Sequence, residues 1–179
     1  VEFIEKQKPN LPEGGKCTIM HVRRGDIILH KVVSYTREYL PISAYLERLP
    51  EERKARGSKI ILLTDDQNAI DEAHEFFPDI NWFHFDRKRF RGTEGGFEKH
   101  LPSLNPADEV TAILATLEIV QMCDGIARQK SNLGDLMVKT MREVHGPNFE
   151  DYFLGGYRYG KNQTRSSNEA LSRELQKER

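Results

Sequence analysis

Two adjacent arginines follow directly on an apolar run near the start of the chain, in the stretch Met20-His21-Val22-Arg23-Arg24-Gly25-Asp26. An arginine guanidinium presents paired N–H donors that match two oxygens of a phosphate or a carboxylate. Gly25 allows the backbone to turn sharply or to approach a ligand closely. The stretch therefore indicates an anion-binding site. The alternative is that the two arginines pair with acidic residues on an ordinary surface loop.

Two further polar groups flank apolar segments. Thr64-Asp65-Asp66 follows an apolar run, and Lys130-Ser131-Asn132 precedes a helical pattern. The two aspartates could accept hydrogen bonds from ribose hydroxyls or from an arginine; the alternatives are a helix cap and a divalent metal site without a visible third ligand. Ser131 or Asn132 is placed to cap a helix, whose first backbone N–H groups are suited to an anion.

The elements that must position these residues alternate between strands and helices. Short apolar runs predict strands at residues 16–23, 59–63, 80–85 and 125–127. Apolar residues at helical spacing predict four helices, which begin at Pro41, span 69–77, begin at Pro106 and span 133–144. The third of these helices is expected to place its larger apolar residues along one side: Val110, Ile113, Leu114, Leu117, Val120, with Gln121.

This alternation predicts an α/β fold, a Rossmann-like doubly wound parallel sheet. The C-terminal ends of parallel strands share one rim, so the arginines, the aspartates and the Ser131-Asn132 pair are expected to converge there. A nucleotide diphosphate would satisfy all three groups. The glycine patterns of dinucleotide-binding enzymes and of P-loop NTPases are missing from the sequence, which disfavours those two classes.

Composition predicts where the domain begins and ends, and it disfavours some classes of partner. We expect a linker at residues 1–15, one domain at residues 16–163 and a charged tail at residues 164–179. The formal net charge of -1 does not favour nucleic acid or a membrane surface as a partner, and no apolar run approaches the ~20 residues of a membrane span.

Cys17 and Cys123 both lie in apolar contexts and form no motif together, which favours buried free thiols over a disulfide or a metal site.

A basic segment interrupts the alternation after the third predicted strand. It contains Arg87, Lys88, Arg89 and Arg91 and opens a loop that extends to residue 105. Loops of this length inside a domain are typically functional or disordered. One interpretation of the four cations is a patch for a polyanion such as RNA or heparin, which the acidic neighbours and the net charge disfavour.

Several of these motifs occur together in one known family. The strings His21-Val22-Arg23-Arg24-x-Asp26, Pro41-Ile42-x-x-Tyr45 and Thr64-Asp65-Asp66 resemble those of the α-1,6-fucosyltransferases, which use GDP-fucose and include core N-glycan and rhizobial Nod-factor enzymes. The resemblance covers residues 16–163. It is extended by the Ser131-Asn132 loop, Asn148-Phe149, Tyr152-Phe153-x-Gly155-Gly156 and Asn162-Gln163.

The resemblance implies a fold and a set of roles. Those enzymes have two Rossmann-like lobes in a GT-B-like arrangement, and this chain resembles the C-terminal, nucleotide-binding lobe, against which an N-terminal lobe would pack. By the resemblance, Arg23 grips the β-phosphate and Arg24 supports that geometry. The other residues expected to bind the nucleotide are His21, Val22, Tyr45, Thr64, Asp65, Asp66, Ser131 and Asn132.

The chain departs from its apparent relatives at two positions. Lys31 stands where the animal enzymes carry a glutamate proposed as the general base; His30 and Glu38 are the nearest alternatives, and Asp26 could orient Arg24 or assist. Thr116 stands where the family has a carboxylate that reads guanine, so Glu118 or Glu109 would have to substitute for it.

The expected reaction is the transfer of fucose, with inversion, from GDP-fucose to a hydroxyl of a glycan acceptor. Arginines and backbone amides would stabilise the leaving GDP without a metal, and no cofactor is expected besides the donor substrate GDP-fucose. A base must accept the proton of the acceptor hydroxyl. The alternative is a non-catalytic nucleotide-sugar-binding module or a degenerate transferase. A eukaryotic member of this family would work in the Golgi lumen.

Overall fold

The structure, a computed structural model, describes residue 5 and residues 16–24, 39–91 and 106–154. Its five strands are β1 (Thr18–Val22), β2 (Lys59–Thr64), β3 (Asn81–Phe83), β4 (Gly125–Arg128) and β5 (Glu150–Phe153). Its helices are α1 (Ile42–Arg48), α2 (Glu51–Lys54), α3 (Gln67–Phe76), α4 (Pro106–Ile119) and α5 (Asn132–His145). Single 3₁₀ turns at Val120–Met122 and Gly146–Asn148 follow α4 and α5.

The strands form one parallel sheet in the order β3-β2-β1-β4-β5. Of the described strands, β1 comes first in sequence and lies at the centre of the sheet. β2 and β3 extend the sheet on one side of β1, and β4 and β5 extend it on the other. The pairing of Val22 with Thr64 and of His21 with Arg128 aligns the C-terminal ends of β2, β1 and β4. The predicted Rossmann-like α/β fold is confirmed, and its topological switch point lies between β1 and β4.

Local sequence signals account for where the helices begin and end. Pro41 precedes α1, and Pro50 separates α1 from α2. The Asp66 side chain caps α3 by accepting a hydrogen bond from the backbone N–H of Asn68 at 3.1 Å. Gly146 ends α5 with a φ of 55°, a backbone conformation that favours glycine. In the described ranges, no helix is both long enough and apolar enough to cross a membrane.

Alternate residues of the strands supply a core on each face of the sheet. On one face, Met20 and Val22 pack with the buried residues of α1 and α3. On the other face, Ile19 and Leu63 pack with the buried residues of α4 and α5. Because both faces are covered, β1 and the middle of β2 are buried along their length, as continuous apolar runs predict.

The prediction for α4 was right about the helix and wrong about its buried side. The buried residues are Ala112, Ala115 and Ile119, while Val110, Ile113 and Leu114 are exposed by 57%, 47% and 61%. Small alanines allow the helix backbone to approach the sheet closely, so the side with the larger apolar residues faces outward. Leu117 is only partly buried, and Val120 is fully buried.

The two cysteines form a disulfide, which contradicts the prediction of free thiols. Cys17 immediately precedes β1 and Cys123 lies just before β4, and the pairing of Thr18 with Gly125 makes these two strands neighbours. Their Cα atoms are 4.7 Å apart, which is about the spacing of adjacent strands. The sequence separation of 106 residues conceals this proximity, because it becomes visible only once the strand order is known.

The sequence did not predict β5. Its four residues, Glu150-Asp151-Tyr152-Phe153, include two acids and lie after the aromatic and glycine-rich sequence begins. Among the described strands, this one pairs only with β4, and it is partly exposed, as an edge strand permits. The predictions for the 1–15 linker, apart from the helical residue Glu5, and for the 164–179 tail lie outside the described residues.

Candidate functional site

The three polar groups singled out in the sequence come together at the C-terminal edge of the sheet, as predicted. The backbone N–H of Arg24, after β1, donates to Asp65 Oδ1, after β2, at 3.0 Å. On the other side of β1, His21 and Ser131 both lie beside Gly134 in the first turn of α5. The exit of the central strand is therefore flanked by carboxylates on one side and by a helix N-terminus on the other. We call this edge the rim.

The Arg24 side chain is buried and hydrogen-bonded within the protein, although the sequence indicated that both adjacent guanidinium groups could bind an anion. Its side chain is 1% exposed. It donates to the carbonyl oxygen of Leu40 from Nε at 3.0 Å and from Nη2 at 2.6 Å, and to Glu72 Oε2 at 2.7 Å. Arg23 is half-buried at the same edge. The two arginines thus occupy different environments, and Arg24 supports the rim from within.

A carboxylate and a phenol complete the surroundings of Arg24. Asp66 Oδ2 lies 3.5 Å from Arg24 Nη1 and accepts a hydrogen bond from the Tyr39 hydroxyl at 3.2 Å. Burial raises the pKa of Tyr39 to about 12 even though Arg24 acts in the opposite direction, so the phenol stays protonated and donates. Burial alone would lower the pKa of Arg24, but Glu72, Tyr39 and Asp66 outweigh it and raise that pKa.

Glu72, like Tyr39, belongs to this cluster and was not predicted from the sequence. Besides Arg24, it accepts a hydrogen bond from the backbone N–H of Ile42 at 2.6 Å, at the start of α1. Nothing in the pattern of α3 distinguishes Glu72 from the other polar residues of that helix. Its role follows from the packing of α3 beside α1, which places its two oxygens between an arginine and a helix N-terminus.

The Arg24 side chain also joins two points that are separated in sequence. Its guanidinium lies 4.4 Å from the centre of the Tyr39 ring and is bonded to Leu40. Residues 24 and 39–40 are therefore held side by side at the rim. The three candidates for proton transfer or for its support, Asp26, His30 and Glu38, lie outside the described residues.

Ser131 caps α5, the second element of the rim. Its hydroxyl oxygen accepts a hydrogen bond from the backbone N–H of Gly134 at 2.8 Å. Asn132, the first residue of the helix, is exposed. Asp135 carries a negative charge in the same turn, but Lys130 donates a hydrogen bond to one of its oxygens and Arg128 pairs with the other at 2.8 Å, and both contacts lower the pKa of the carboxyl. The first turn of α5 is thus capped, and its one acid is paired with two cations.

Replacement of Gly134 by alanine is expected to loosen this turn. An added Cβ would lie 2.8 Å from Ser131 Oγ and 3.3 Å from His21 Nδ1. Alanine normally stabilises a helix relative to glycine, but here it must displace the cap, so we expect a net loss of about 1 kcal/mol in the free energy of unfolding. Chemical denaturation of the variant measures this loss. Lys139→Ala, on the exposed side of α5, is the control and should be neutral; a stabilised Gly134→Ala variant would contradict the close contact.

Three other predicted nucleotide contacts lie at or below the rim. Val22 is fully buried in the core between the sheet, α1 and α3. Tyr45 is fully buried in the same core, where desolvation raises its pKa and its hydroxyl has no hydrogen-bond partner among the described residues. Thr64 is half-buried at the end of β2, and its hydroxyl accepts a hydrogen bond from the N–H of Asp66 at 3.1 Å. Val22 and Tyr45 are core residues, and their contact with a nucleotide stays a prediction.

The residues considered for guanine recognition are dispersed on α4. Thr116 is half-buried and donates its hydroxyl hydrogen to the carbonyl of Ala112 at 2.8 Å. Glu118 is exposed. Glu109 pairs with Arg87 at 2.7 Å. None of these three groups is fixed toward His21 or Arg23 by a contact that the described residues show.

The fold and the rim define a class, an α/β domain of Rossmann-like topology with charged side chains gathered at the C-terminal edge of its sheet, beside the switch point. Folds of this class bind their ligands at that edge of the sheet. Compared with models of known protein families the sequence matches none, and no curated protein matches it. The resemblance to α-1,6-fucosyltransferases therefore stays a prediction based on the motifs.

Proposed function

We propose that this chain is the nucleotide-binding lobe of a fucosyltransferase-like glycosyltransferase that transfers fucose from GDP-fucose to a glycan hydroxyl. The observation that supports it most is the position of Arg23. This residue directly follows the central strand at the switch point, and the neighbouring strand β4 leads into the capped N-terminus of α5. A guanidinium and a helix N-terminus are the two features that recur where proteins hold a phosphate.

The different environments of the two arginines fit this function. Arg24 is enclosed and bonded to Leu40 and Glu72, so it fixes the backbone from which Arg23 extends. A diphosphate leaving group gains negative charge as the glycosidic bond to fucose breaks. Positive groups that are already in place stabilise this charge without having to reorganise during the reaction. In this proposal, Arg23 contacts the departing diphosphate and Arg24 positions Arg23.

Isothermal titration with GDP, ADP and UDP tests the binding step. We expect GDP to bind most tightly and Arg23→Ala to weaken it about 10- to 100-fold, the range for a lost charge-assisted hydrogen bond. Arg48→Ala is the control, because Arg48 is an exposed arginine in the last turn of α1. Equal affinity in the wild type and in Arg23→Ala, or no GDP binding at all, would reject the proposal.

Catalysis needs a separate measurement. Release of GDP from GDP-fucose in the presence of a panel of glycan acceptors would identify a transferase. GDP binding without release would instead support the alternative, a non-catalytic nucleotide-sugar-binding module. Lys31 and Thr116, at positions where the family has acids, are the observations that favour this alternative.

A further inference from the structure

The four cations that follow β3 do not form a single patch. Arg87 pairs with Glu109 at 2.7 Å, and Arg91 forms an ion pair with Asp71. The Lys88 ammonium lies over the Phe90 ring, 5.6 Å from its centre. Arg89 differs from the other three, because its hydrogen bonds go to backbone carbonyls. This arrangement disfavours a general polyanion surface and singles out one residue.

The guanidinium of Arg89 is held at the rim by three carbonyl oxygens. Nε donates to Thr64 at 3.2 Å, Nη1 donates to Arg87 at 3.0 Å, and Nη2 donates to Phe85 at 2.7 Å. Thr64 is the last residue of β2, and Phe85 lies just after β3. The guanidinium therefore sits over the C-terminal ends of two adjacent strands. The adjoining backbone is fixed as well, since the N–H of Gln67 donates to the carbonyl of Phe90 at 2.9 Å.

The charge of Arg89 has no carboxylate partner among its hydrogen bonds. Burial and the nearby charge of Arg87 lower the pKa of Arg89 to about 10, although Asp86 acts in the opposite direction. Three of the five guanidinium N–H donors are used by the carbonyls, and the other two have no hydrogen-bond partner among the described residues. A partly desolvated cation that is fixed in place, and to which no carboxylate of the described residues is hydrogen-bonded, gains from contact with an oxyanion.

We propose that Arg89 is a second oxyanion-binding residue of the rim, at the ends of β2 and β3, and that it takes phosphate oxygens. This inference rests on the proposed function only for the source of the phosphate, which is either the diphosphate of a bound nucleotide or a separate phosphate group. The carbonyls orient the guanidinium, and the two other donors bind the ligand. Arg23 and Arg89 are then anion contacts on different strands of one edge.

Calorimetric titration with pyrophosphate, inorganic phosphate and GDP tests this inference. We expect Arg89→Gln to bind pyrophosphate about 10-fold more weakly than the wild type does. Arg91→Gln is the matched control, because it removes the same charge from the same segment at a residue that is paired with Asp71. An equal loss of GDP affinity in Arg89→Gln would identify the nucleotide as the source. A loss confined to inorganic phosphate and pyrophosphate would identify a separate phosphate group.

Other outcomes would overturn the inference. They are unchanged pyrophosphate binding in Arg89→Gln, an equal loss in Arg91→Gln, or no binding of any of the three ligands by the wild type. If Arg89→Gln does not fold, Arg89→Lys is tested instead, because it keeps the charge without the planar guanidinium. Its loss of pyrophosphate affinity should be smaller than the roughly 10-fold loss expected of Arg89→Gln. Wild-type affinity in Arg89→Lys would then reject the role of the guanidinium geometry. If pyrophosphate binds through Arg89 but GDP binds no more tightly than pyrophosphate, the nucleotide function fails and the oxyanion site stands.

Discussion

Arg24→Ala is expected to lower the free energy of unfolding by about 3–5 kcal/mol, the usual cost of removing one partner from a buried ion pair. The substitution removes the cation that lies between Asp66 and Glu72, and it releases the carbonyl of Leu40. Asp66 is 2% exposed, so its carboxylate would be buried without the arginine that it faces in the wild type. Urea denaturation of the wild type and the variant, followed by circular dichroism, measures the difference.

An exposed arginine just after α2 provides the comparison. Arg56 is 88% exposed and lies 3.6 Å from Asp79, so Arg56→Ala should change stability by less than about 1 kcal/mol. A loss in Arg24→Ala as small as that in Arg56→Ala would show that the cluster is not a support of the fold. Glu72→Gln in the Arg24→Ala background should recover part of the loss, because it removes a negative charge that has lost its cation while an amide oxygen can still accept the hydrogen bond from the N–H of Ile42.

Loss of the disulfide is expected to be comparably severe. Cys17 and Cys123 close a loop with a separation of 106 residues, for which restriction of the unfolded chain predicts about 4–5 kcal/mol. The replacement Cys17→Ala with Cys123→Ala should therefore lower the denaturation midpoint strongly. Cys17 is 3% exposed and Cys123 is fully buried, so the sulfur atoms also contribute to packing.

Reductant separates the covalent contribution from the packing contribution. Wild-type protein unfolded in the presence of dithiothreitol should lose most of the stability that the double variant loses, and the variant itself should not respond to reductant. A wild-type midpoint that is the same with and without dithiothreitol would contradict a stabilising bond. Mass spectrometry after alkylation, without reduction, gives an independent count of reactive thiols.

Periodic patterns in the sequence were sufficient for most of the fold. Continuous apolar runs identified β1 and β2, and prolines and capping residues located the helix boundaries to within a few residues. The meeting of Arg24 with Asp65 followed from the rule that parallel strands end on one edge. The side of α4 that packs on the sheet was not predictable in this way, because hydrophobicity alone does not show that Ala112 and Ala115 permit a closer approach than Val110 and Leu114 do.

The hydrogen-bond partners of the arginines at the rim were harder to predict from the sequence. From residue type and position alone, Arg23 and Arg24 were equal candidates for binding a ligand. The family resemblance assigned them different roles, and the hydrogen bonds of Arg24 to Leu40 and Glu72 show that Arg24 is held inside the protein. Arg89 was one of four similar cations until the partners of Arg87 and Arg91 were known. Long-range pairing also hid the disulfide and β5. In each case, the missing information was which distant residue lies nearby.

The strand order has a consequence for how the chain folds. Of the described strands, the central strand β1 comes first in sequence. β4, which pairs with its second edge, follows it by more than a hundred residues, as the separation of 106 between the adjoining cysteines indicates. Contacts between such distant segments slow folding, because a long loop must close before they form. The half built from β1, β2 and β3 can assemble early from local connections. Formation of the cysteine bond would then report the moment when β4 docks and the sheet is completed.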